Sequence, residues 1–284
     1  MSYTLNMDFD KVIVVGVGGT GSCLIDGLCR LMHGTNLPLT LIDHDRVEPR
    51  NLFRQNFYPD DVGKFKSQVL AERYSRLYGI PISYSILPFE KGLSTSSRHS
   101  SYTSVTIMRS LLIGCVDGPM GRLAIASAVD NEKGRNYGNW WLDSGNGYNF
   151  GQILLGNTSK PENMLKAFHP DTQSVDKLPY PLLQTPELGM MLSQDTHTIS
   201  CAEAVQDNTQ SATINTVMAT LLLEFIRRMF RNELTWMAAY IDMEIGNLKC
   251  VYADPNTCAR ILKVNPGPMI CKSKKDKDED EDET

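Results

Sequence analysis

The sequence predicts an α/β fold with a doubly wound, mostly parallel, Rossmann-like sheet. Short apolar runs alternate with segments of helical periodicity through the first half of the chain, and a glycine-rich turn joins the first such pair. The acidic residue Asp43 ends the second apolar run. Parallel strands linked by crossover helices produce this alternation of apolar runs and helical segments, because parallel pairing needs a long connection between strands.

The first predicted unit is a strand, a helix and a second strand. Residues 12–15 are Val, Ile, Val and Val, a run typical of a strand buried on both faces. Residues 39–43 form the next such run, which ends in Asp43. Between the two runs, apolar side chains recur at helical spacing, at Leu24, Ile25, Leu28, Leu31 and Met32.

Further elements are predicted along the rest of the chain. Helices are expected at residues 66–77 and 121–129 and from Ile214 onward, and strands at residues 82–87, 110–116, 140–143, 150–155, 236–243 and 248–252. Residues 157–205 carry five prolines without clear periodicity, which indicates a crossover loop. We therefore predict one domain over residues 1–265 and a disordered charged tail over 266–284.

Composition and charge narrow the class of protein. The chain has 284 residues, 42% of them hydrophobic and 21% charged, which suits a folded protein with a sizeable core. The net charge is −5, and residues 272–284, with four Lys and seven Asp or Glu, carry −3 of it. The near-neutral remainder does not favour nucleic acid as a partner.

Neither a membrane segment nor a metal framework is indicated. No apolar run approaches the ~20 residues of a membrane helix, and the first ten residues lack a signal-peptide pattern, so a cytoplasmic protein without membrane contact is expected. The seven cysteines include no C-x-x-C pair. We therefore expect no structural zinc and mostly reduced thiols.

The turn after the first strand contains Gly16, Gly18, Gly19 and Gly21 in a G-x-G-x-x-G pattern. Between a strand and a helix, this pattern lets the backbone approach phosphate at the helix N-terminus. Asp43 follows Gly21 by 22 residues, close to the ~20 expected for a carboxylate that accepts ribose hydroxyls. These features predict a nucleotide site. The alternatives are glycines that only pack the helix on the sheet, or a dinucleotide-dependent oxidoreductase.

A longer motif bears on these alternatives. Residues 43–55 read D-H-D-R-V-E-P-R-N-L-F-R-Q, and residues 61–66 read D-V-G-K-F-K. They resemble the ThiF/MoeB/HesA family and the adenylation half of ubiquitin-activating enzymes, in which D-x-D-x-V-x-x-x-N-L-x-R-Q precedes V-G-x-x-K. V-D-G-P-M at 116–120 and S-C-A-E at 200–203 extend the resemblance to roughly residues 11–230.

The resemblance implies a fold of the ubiquitin-activating-enzyme adenylation type that uses ATP and Mg²⁺. It places Asn51, Arg54 and Lys66 around the triphosphate, and Gln55 can orient phosphate oxygens without adding charge. The positive charges of Arg54 and Lys66 suit this chemistry, because joining a carboxylate to a phosphate brings two anions together. Lys66 is preferred to Lys64, since the family places its lysine three residues after the glycine. The alternative for Arg54 and Lys66 is a solvated helix face.

Asp117 is a second acidic residue at the end of an apolar strand. Carboxylates at the carboxyl ends of parallel strands lie at the ligand-binding edge of such sheets. The resemblance implies that Asp117 binds the Mg²⁺ accompanying ATP, which fits a hard cation that prefers oxygen ligands. The alternative is a helix cap, because Gly118 and Pro119 follow it.

Cys201 is a candidate acceptor cysteine. Relatives that pass their carrier onward as a thioester or acyl-disulfide often have a cysteine at this place, whereas a small buried residue is the alternative. The resemblance also implies a homodimer in which an N-terminal arginine reaches the partner's site. Residues 1–10 contain no arginine, so another residue or another dimer arrangement is needed.

We therefore expect an enzyme that adenylates the C-terminal carboxylate of a small ubiquitin-like or sulfur-carrier protein, with thioester transfer as a further step. Within the family, the ThiF member of the PRTRC system is the nearest fit. Alternative substrates are a peptide or a modified tRNA. A scaffold with a relic nucleotide site and an NAD-dependent oxidoreductase are the alternatives from other classes.

Overall fold

The computed structural model describes residues 2–89, 109–129, 138–190, 211 and 213–272. Its strands are β1 (Thr4–Leu5), β2 (Lys11–Val15), β3 (Leu39–Ile42), β4 (Ile82–Ser85), β5 (Ser110–Gly114), β6 (Trp140–Asn146), β7 (Phe150–Gly156), β8 (Phe168–His169), β9 (Ser174–Val175), β10 (Trp236–Asp242) and β11 (Asn247–Tyr252). Its α-helices are α1 (Gly19–Met32), α2 (Lys66–Tyr78), α3 (Pro119–Val129), α4 (Pro181–Gln184), α5 (Ile214–Phe230) and α6 (Pro255–Leu262). Short 3-10 turns cover Pro49–Phe53, Pro59–Asp61, Pro161–Met164, Pro186–Gly189 and Gly267–Met269.

The main sheet has eight strands in the order β11-β10-β7-β6-β5-β2-β3-β4. The run from β6 to β4 is parallel, whereas β7, β10 and β11 pair antiparallel. The strand order reverses between β2 and β5, which is the position where open α/β sheets bind their ligands. The predicted α/β class, with a mostly parallel Rossmann-like sheet, is confirmed.

Helices cover both faces of this sheet. Val12 and Val14 of β2 point into the larger core, which α1, α2 and α5 close. Ile13 and Val15 point the opposite way, into a smaller core with Ile125 of α3. Alternate residues of one strand thus enter opposite cores, which explains the unbroken apolar run in the sequence.

Residues 157–205 were predicted as a crossover loop without clear elements, and their described part does contain short strands. Strands β8 and β9 lie within residues 157–190 and form a second, three-stranded sheet with β1. Phe168 is fully buried there, in edge-to-face contact with Tyr3 at 5.0 Å between ring centroids. Two-residue strands are too short to show any periodicity, which is why the sequence did not reveal them.

Several predictions fall outside the residues that the structure describes. These are the second part of the crossover loop with Cys201, and residues 273–284 of the charged tail. The prediction of disorder from residue 266 onward was wrong for residues 266–272, because Met269 is buried and Ile270 pairs with Phe168 of β8. Within the described ranges, no helix combines the length and the apolar character that crossing a bilayer requires.

Candidate functional site

A cavity of about 830 Å³ lies at the carboxyl ends of β2, β3 and β5. Most of the residues proposed from the sequence line it: Gly16, Gly18, Asp43, Asn51, Gln55, Lys66 and Asp117. Pro88, Phe89, Met120 and Leu123 line it as well. Polar groups from four separate segments of the chain therefore converge on one space of the size that ligand sites occupy.

Three glycines of the turn allow close packing, and one of them also forms part of the cavity wall. Gly16 has a φ of +84°, and a side chain there would meet the carbonyl oxygen of Cys115. A Cβ on Gly21 would overlap the carbonyl of Gly16, and one on Gly19 would lie 2.7 Å from Nδ2 of Asn215. These three glycines are thus required by packing, and of the three only Gly16 also lines the cavity.

Gly18 differs from the other three glycines. A Cβ built on Gly18 would have Nε2 of Gln55, at 3.8 Å, as its nearest neighbour, so the fold itself leaves room for a side chain. Gly18 lines the cavity and directly precedes helix α1. The space in front of it is where the backbone N–H groups of a helix N-terminus can hold an anion.

Asp43 is fixed by two backbone contacts. Its Oδ2 accepts a hydrogen bond from the N–H of Val17, and its Oδ1 accepts one from the N–H of Asp45, each at 2.8 Å. Burial raises the pKa of the Asp43 carboxyl, while Lys66 and the two N–H donors act in the opposite direction. The carboxylate therefore stands rigidly beside the glycine turn with lone pairs left to accept hydroxyl groups.

Lys66 is the first residue of α2 and is buried, with its side chain 8% exposed. Its Nζ lies 2.9 Å from Oδ2 of Asp45, a residue that the sequence analysis did not single out. Lys64 is exposed and does not line the cavity. The cavity wall thus holds a buried ammonium whose partner carboxylate is exposed.

Two amide side chains, of Asn51 and Gln55, line the same cavity as this ammonium. Oδ1 of Asn51 accepts the N–H of Glu48 at 2.8 Å, which closes the short turn that carries the motif. Oε1 of Gln55 is buried and has no hydrogen-bond partner within the described structure. A buried amide without a partner can be satisfied by a ligand, so Gln55 is well placed to bind one.

Arg54 does not line the cavity, although Asn51 and Gln55 on either side of it do. It is partly buried, and its carbonyl oxygen lies 3.5 Å from Nδ2 of Asn215. Asn215, on α5, is buried and also contacts Thr20 and Asn146 through its Oδ1. Asn215 was not predicted as a site residue, because only the apolar face of α5 is recognisable in the sequence.

Asp117 follows β5 and is shared by two cavities. A second cavity of about 590 Å³ begins at Val116 and Asp117 and extends along β6, β7 and β10. Gly145, Gly147 and Gly151 are part of its wall. Asp117 is exposed, so its carboxylate is suited to bind a hydrated cation such as Mg²⁺.

A buried ion pair lies beneath Asp117. Nε of Arg122 is 2.9 Å from Oδ2 of Asp143, and the two side chains are 6% and 0% exposed. Arg122 also donates to the carbonyl oxygens of Asp117 and Ser144, at 3.4 and 3.3 Å. This guanidinium therefore connects the end of β5 to β6. Its position on α3 gave no signal in the sequence, because Arg on a helix is usually solvated.

A largely parallel sheet with a glycine turn and strand-end acids around one cavity defines a nucleotide-binding protein of Rossmann-like fold. The family model described as ThiF matches residues 5–180. The chain belongs to the ThiF family.

Curated relatives support this membership. Ubiquitin-like modifier-activating enzyme 5 of Drosophila grimshawi is 35% identical over 147 residues, which are 48% of this chain and 34% of the relative. Adenylyltransferase and sulfurtransferase UBA4 of Yarrowia lipolytica is 33% identical over 125 residues, 44% of this chain and 29% of the relative. The matches span about a third of these relatives' own length.

A solved structure shows the same fold. The crystal structure of E. coli MccB with ATP matches at a TM-score of 0.55 and 16% identity, covering 87% of this chain and 64% of the MccB chain. At this identity the likeness shows the fold alone. It agrees with the mixed, largely parallel sheet described above.

Proposed function

We propose that the chain adenylates the C-terminal carboxylate of a small ubiquitin-like or sulfur-carrier protein, with ATP and Mg²⁺. One observation supports this more than any other. Asp117 lies in the wall of both the cavity with the glycine turn and the cavity with the glycine-lined groove. An acyl adenylate forms where a nucleotide and a carboxylate meet, and two cavities that share a wall residue provide such a place.

The first cavity offers groups suited to a nucleoside triphosphate. Asp43 is proposed to accept the ribose hydroxyls, and Gly18 with the N-terminus of α1 to approach the phosphates. Lys66, Asn51 and Gln55 are proposed to bind phosphate oxygens, and Gly16, Gly19 and Gly21 to keep the turn in shape. Mg²⁺ held by Asp117 would offset charge on the departing pyrophosphate.

Proton transfer has no part in the proposed reaction. The attacking carboxylate is ionised near pH 7, so the site needs no general base. Its difficulty is electrostatic, because an anion must approach a polyanion, and the buried ammonium of Lys66 addresses this difficulty. Arg54 is proposed to act with Lys66, which requires its side chain to turn toward the phosphates.

The second cavity suits the end of a flexible chain. The glycines on its wall carry no side chains, so the backbone of a bound chain end can approach closely, which supports a partner that ends in glycine. Asn146, Gln152 and Lys249 also line the cavity and can bind peptide groups and a carboxylate. A peptide substrate is the alternative that fits the same groove. A modified tRNA is less favoured, because the folded part is near neutral.

We also propose four properties that membership of the family does not establish. They are a homodimer, a cytoplasmic location, membership of the PRTRC system, and Cys201 as acceptor of a thioester. Family membership argues against the oxidoreductase alternative, and Lys66 and Asp117 in the cavity argue against a scaffold with a relic site.

ATP–pyrophosphate exchange with candidate small carriers tests the proposal. We expect label from pyrophosphate to enter ATP only when a matching carrier is present. Binding of ATP and of NAD, measured separately by calorimetry, is the control. Tight binding of NAD without exchange would replace the proposal by the oxidoreductase alternative.

A further inference from the structure

A thiol, an imidazole and a carboxylate lie in line on the small sheet, away from the nucleotide cavity. Sγ of Cys271 is 3.2 Å from Nδ1 of His169, and Nε2 of His169 is 3.6 Å from Oδ1 of Asp176. The first distance is a hydrogen bond to sulfur. The second is longer than a hydrogen bond and within the range of an ion pair. A base that can take the thiol proton is thus followed by a carboxylate that can orient the base.

The backbone of the small sheet brings these three groups together. His169 is the last residue of β8, and the N–H of Cys271 donates to the carbonyl oxygen of Phe168 at 2.9 Å. Asp176 follows β9, and its N–H donates to the carbonyl oxygen of Ala167 at 3.1 Å. Backbone pairing on both sides of β8 therefore holds Cys271, His169 and Asp176 together, so their geometry does not depend on the side chains alone.

Cys271 differs from the other described cysteines. Burial raises the pKa of Cys23, Cys29, Cys115, Cys250 and Cys258, and a protonated thiol is a poor nucleophile. Cys271 is partly buried, as Cys23, Cys115 and Cys250 also are, and its Sγ donates to the carbonyl oxygen of Lys166 at 3.4 Å. What sets Cys271 apart is the imidazole of His169 beside its thiol, since an adjacent base can activate a cysteine.

A cavity lies on the Asp176 side of these three residues. Asp176 lines a cavity of about 590 Å³ together with Arg109 and Gly138, which precede β5 and β6. This cavity therefore lies at the sheet edge opposite the nucleotide cavity. Its wall is polar and apolar in similar measure, and neither Cys271 nor His169 lines it. The cavity therefore does not decide which acyl group the thiol would receive.

We propose that Cys271, His169 and Asp176 form a second reactive centre, in which the Cys271 thiol accepts acyl groups from donors with an oxygen leaving group. His169 Nδ1 takes the thiol proton, and Sγ attacks the acyl carbonyl carbon. The S–C bond forms, the bond from carbon to the leaving oxygen breaks, and the leaving group departs with that electron pair and the proton from His169. The product is a thioester on Cys271, and Asp176 is a positioning residue for the imidazole.

Acylation of the full chain by N-acetylglycine p-nitrophenyl ester tests the centre, with neither ATP nor carrier present. The rate is followed by p-nitrophenolate release, and the modified residue is identified by peptide mass. We expect Cys271 to be acylated first and His169→Gln to slow its acylation about 100-fold. Asp176→Asn should slow it by a smaller factor, and Asp176→Glu should restore part of the rate. Cys250→Ser is the matched control and should leave the rate unchanged.

Several results would overturn the proposal. They are acylation that spreads evenly over the cysteines, acylation that falls first on Cys201, and an unchanged rate in His169→Gln. If His169→Gln does not fold, as judged by circular dichroism, the order of acylation in the wild-type chain decides. Because no nucleotide is used, failure here leaves the proposed adenylation untouched, and failed pyrophosphate exchange leaves this centre untouched.

Discussion

Lys66 and Asp45 form an ion pair at the cavity wall, with Nζ 2.9 Å from Oδ2. The ammonium is buried, whereas the carboxylate is 55% exposed. A buried cation needs a partner, and Asp45 supplies one when no phosphate is present. A phosphate that reached the cavity would meet an ammonium already held in position. Little reorganisation is then required at the moment of reaction.

Lys66→Ala is therefore expected to slow carrier-dependent pyrophosphate exchange by a factor on the order of 10²–10³ in the maximal rate. The lost charge matters most where negative charge builds up on the phosphates. Lys64→Ala, an exposed neighbour, is the control and should retain the wild-type rate. A Lys66→Ala enzyme with a weaker apparent affinity for ATP and an unchanged maximal rate would contradict this role.

Asp117→Asn should abolish exchange and leave the melting temperature near that of the wild type, because the side chain is exposed and its proposed task is to hold Mg²⁺. The matched control is Asp60→Asn, which removes an exposed carboxylate in a turn outside the cavity. Titration of exchange against magnesium chloride checks the assignment. Wild-type exchange in Asp117→Asn at low Mg²⁺ would exclude Asp117 as the metal ligand.

Two glycines of the same turn should respond differently to alanine. Gly21→Ala places a Cβ on the carbonyl oxygen of Gly16, so we expect a lower melting temperature or no soluble protein. Gly18→Ala meets no atom closer than 3.8 Å, so stability should be kept. Its new methyl group points into the nucleotide cavity, and calorimetry should show weaker ATP binding. Equal effects of both substitutions on stability would contradict this division.

The buried pair of Arg122 and Asp143 should give a pH-dependent stability defect when broken. Arg122→Leu leaves the buried carboxylate uncompensated, at a cost of about 3–5 kcal/mol near pH 7. Burial raises the pKa of Asp143 and Arg122 opposes this, so the variant has a higher Asp143 pKa than the wild type. At acidic pH the carboxyl in the variant is protonated and neutral. The difference in unfolding free energy between the two proteins should therefore shrink as the pH falls.

Urea unfolding from pH 7.5 down to pH 5 measures this difference. The defect of Asp143→Asn, by contrast, should not shrink as the pH falls, since it leaves a buried guanidinium whose charge does not change over this range. A defect of Arg122→Leu that stays constant with pH would show that the carboxylate does not carry the cost.

The sequence predicted the parallel half of the sheet well, because strands buried on both faces are unbroken apolar runs. The segment with Asp43 and Lys66 was recognisable because its polar residues follow a fixed spacing. The sequence could not reveal Asn215 or Arg122, since most of their hydrogen-bond partners lie more than 20 positions away. Such contacts depend on tertiary packing, which periodicity does not record.

Arg54 shows that membership of a motif does not by itself place a side chain in the cavity. Its neighbours in the motif, Asn51 and Gln55, line the cavity, whereas Arg54 does not. The 3-10 turn Pro49–Phe53 ends just before Arg54, and the change of backbone direction there turns successive side chains to different sides. A sequence motif predicts which segment lies near the ligand, and the geometry of the turn decides which of its side chains face the ligand.

The shared wall at Asp117 has a thermodynamic consequence. If one side chain contacts both ligands, occupancy of the first cavity changes the free energy of binding in the second. Linkage then requires reciprocity: the factor by which nucleotide tightens or weakens the hold on a carboxylate tail equals the factor by which the tail changes the nucleotide's dissociation constant. Asp117 would thus act as a coupling residue, and a double-mutant cycle with Asp117→Asn would measure how much of the cooperativity passes through it.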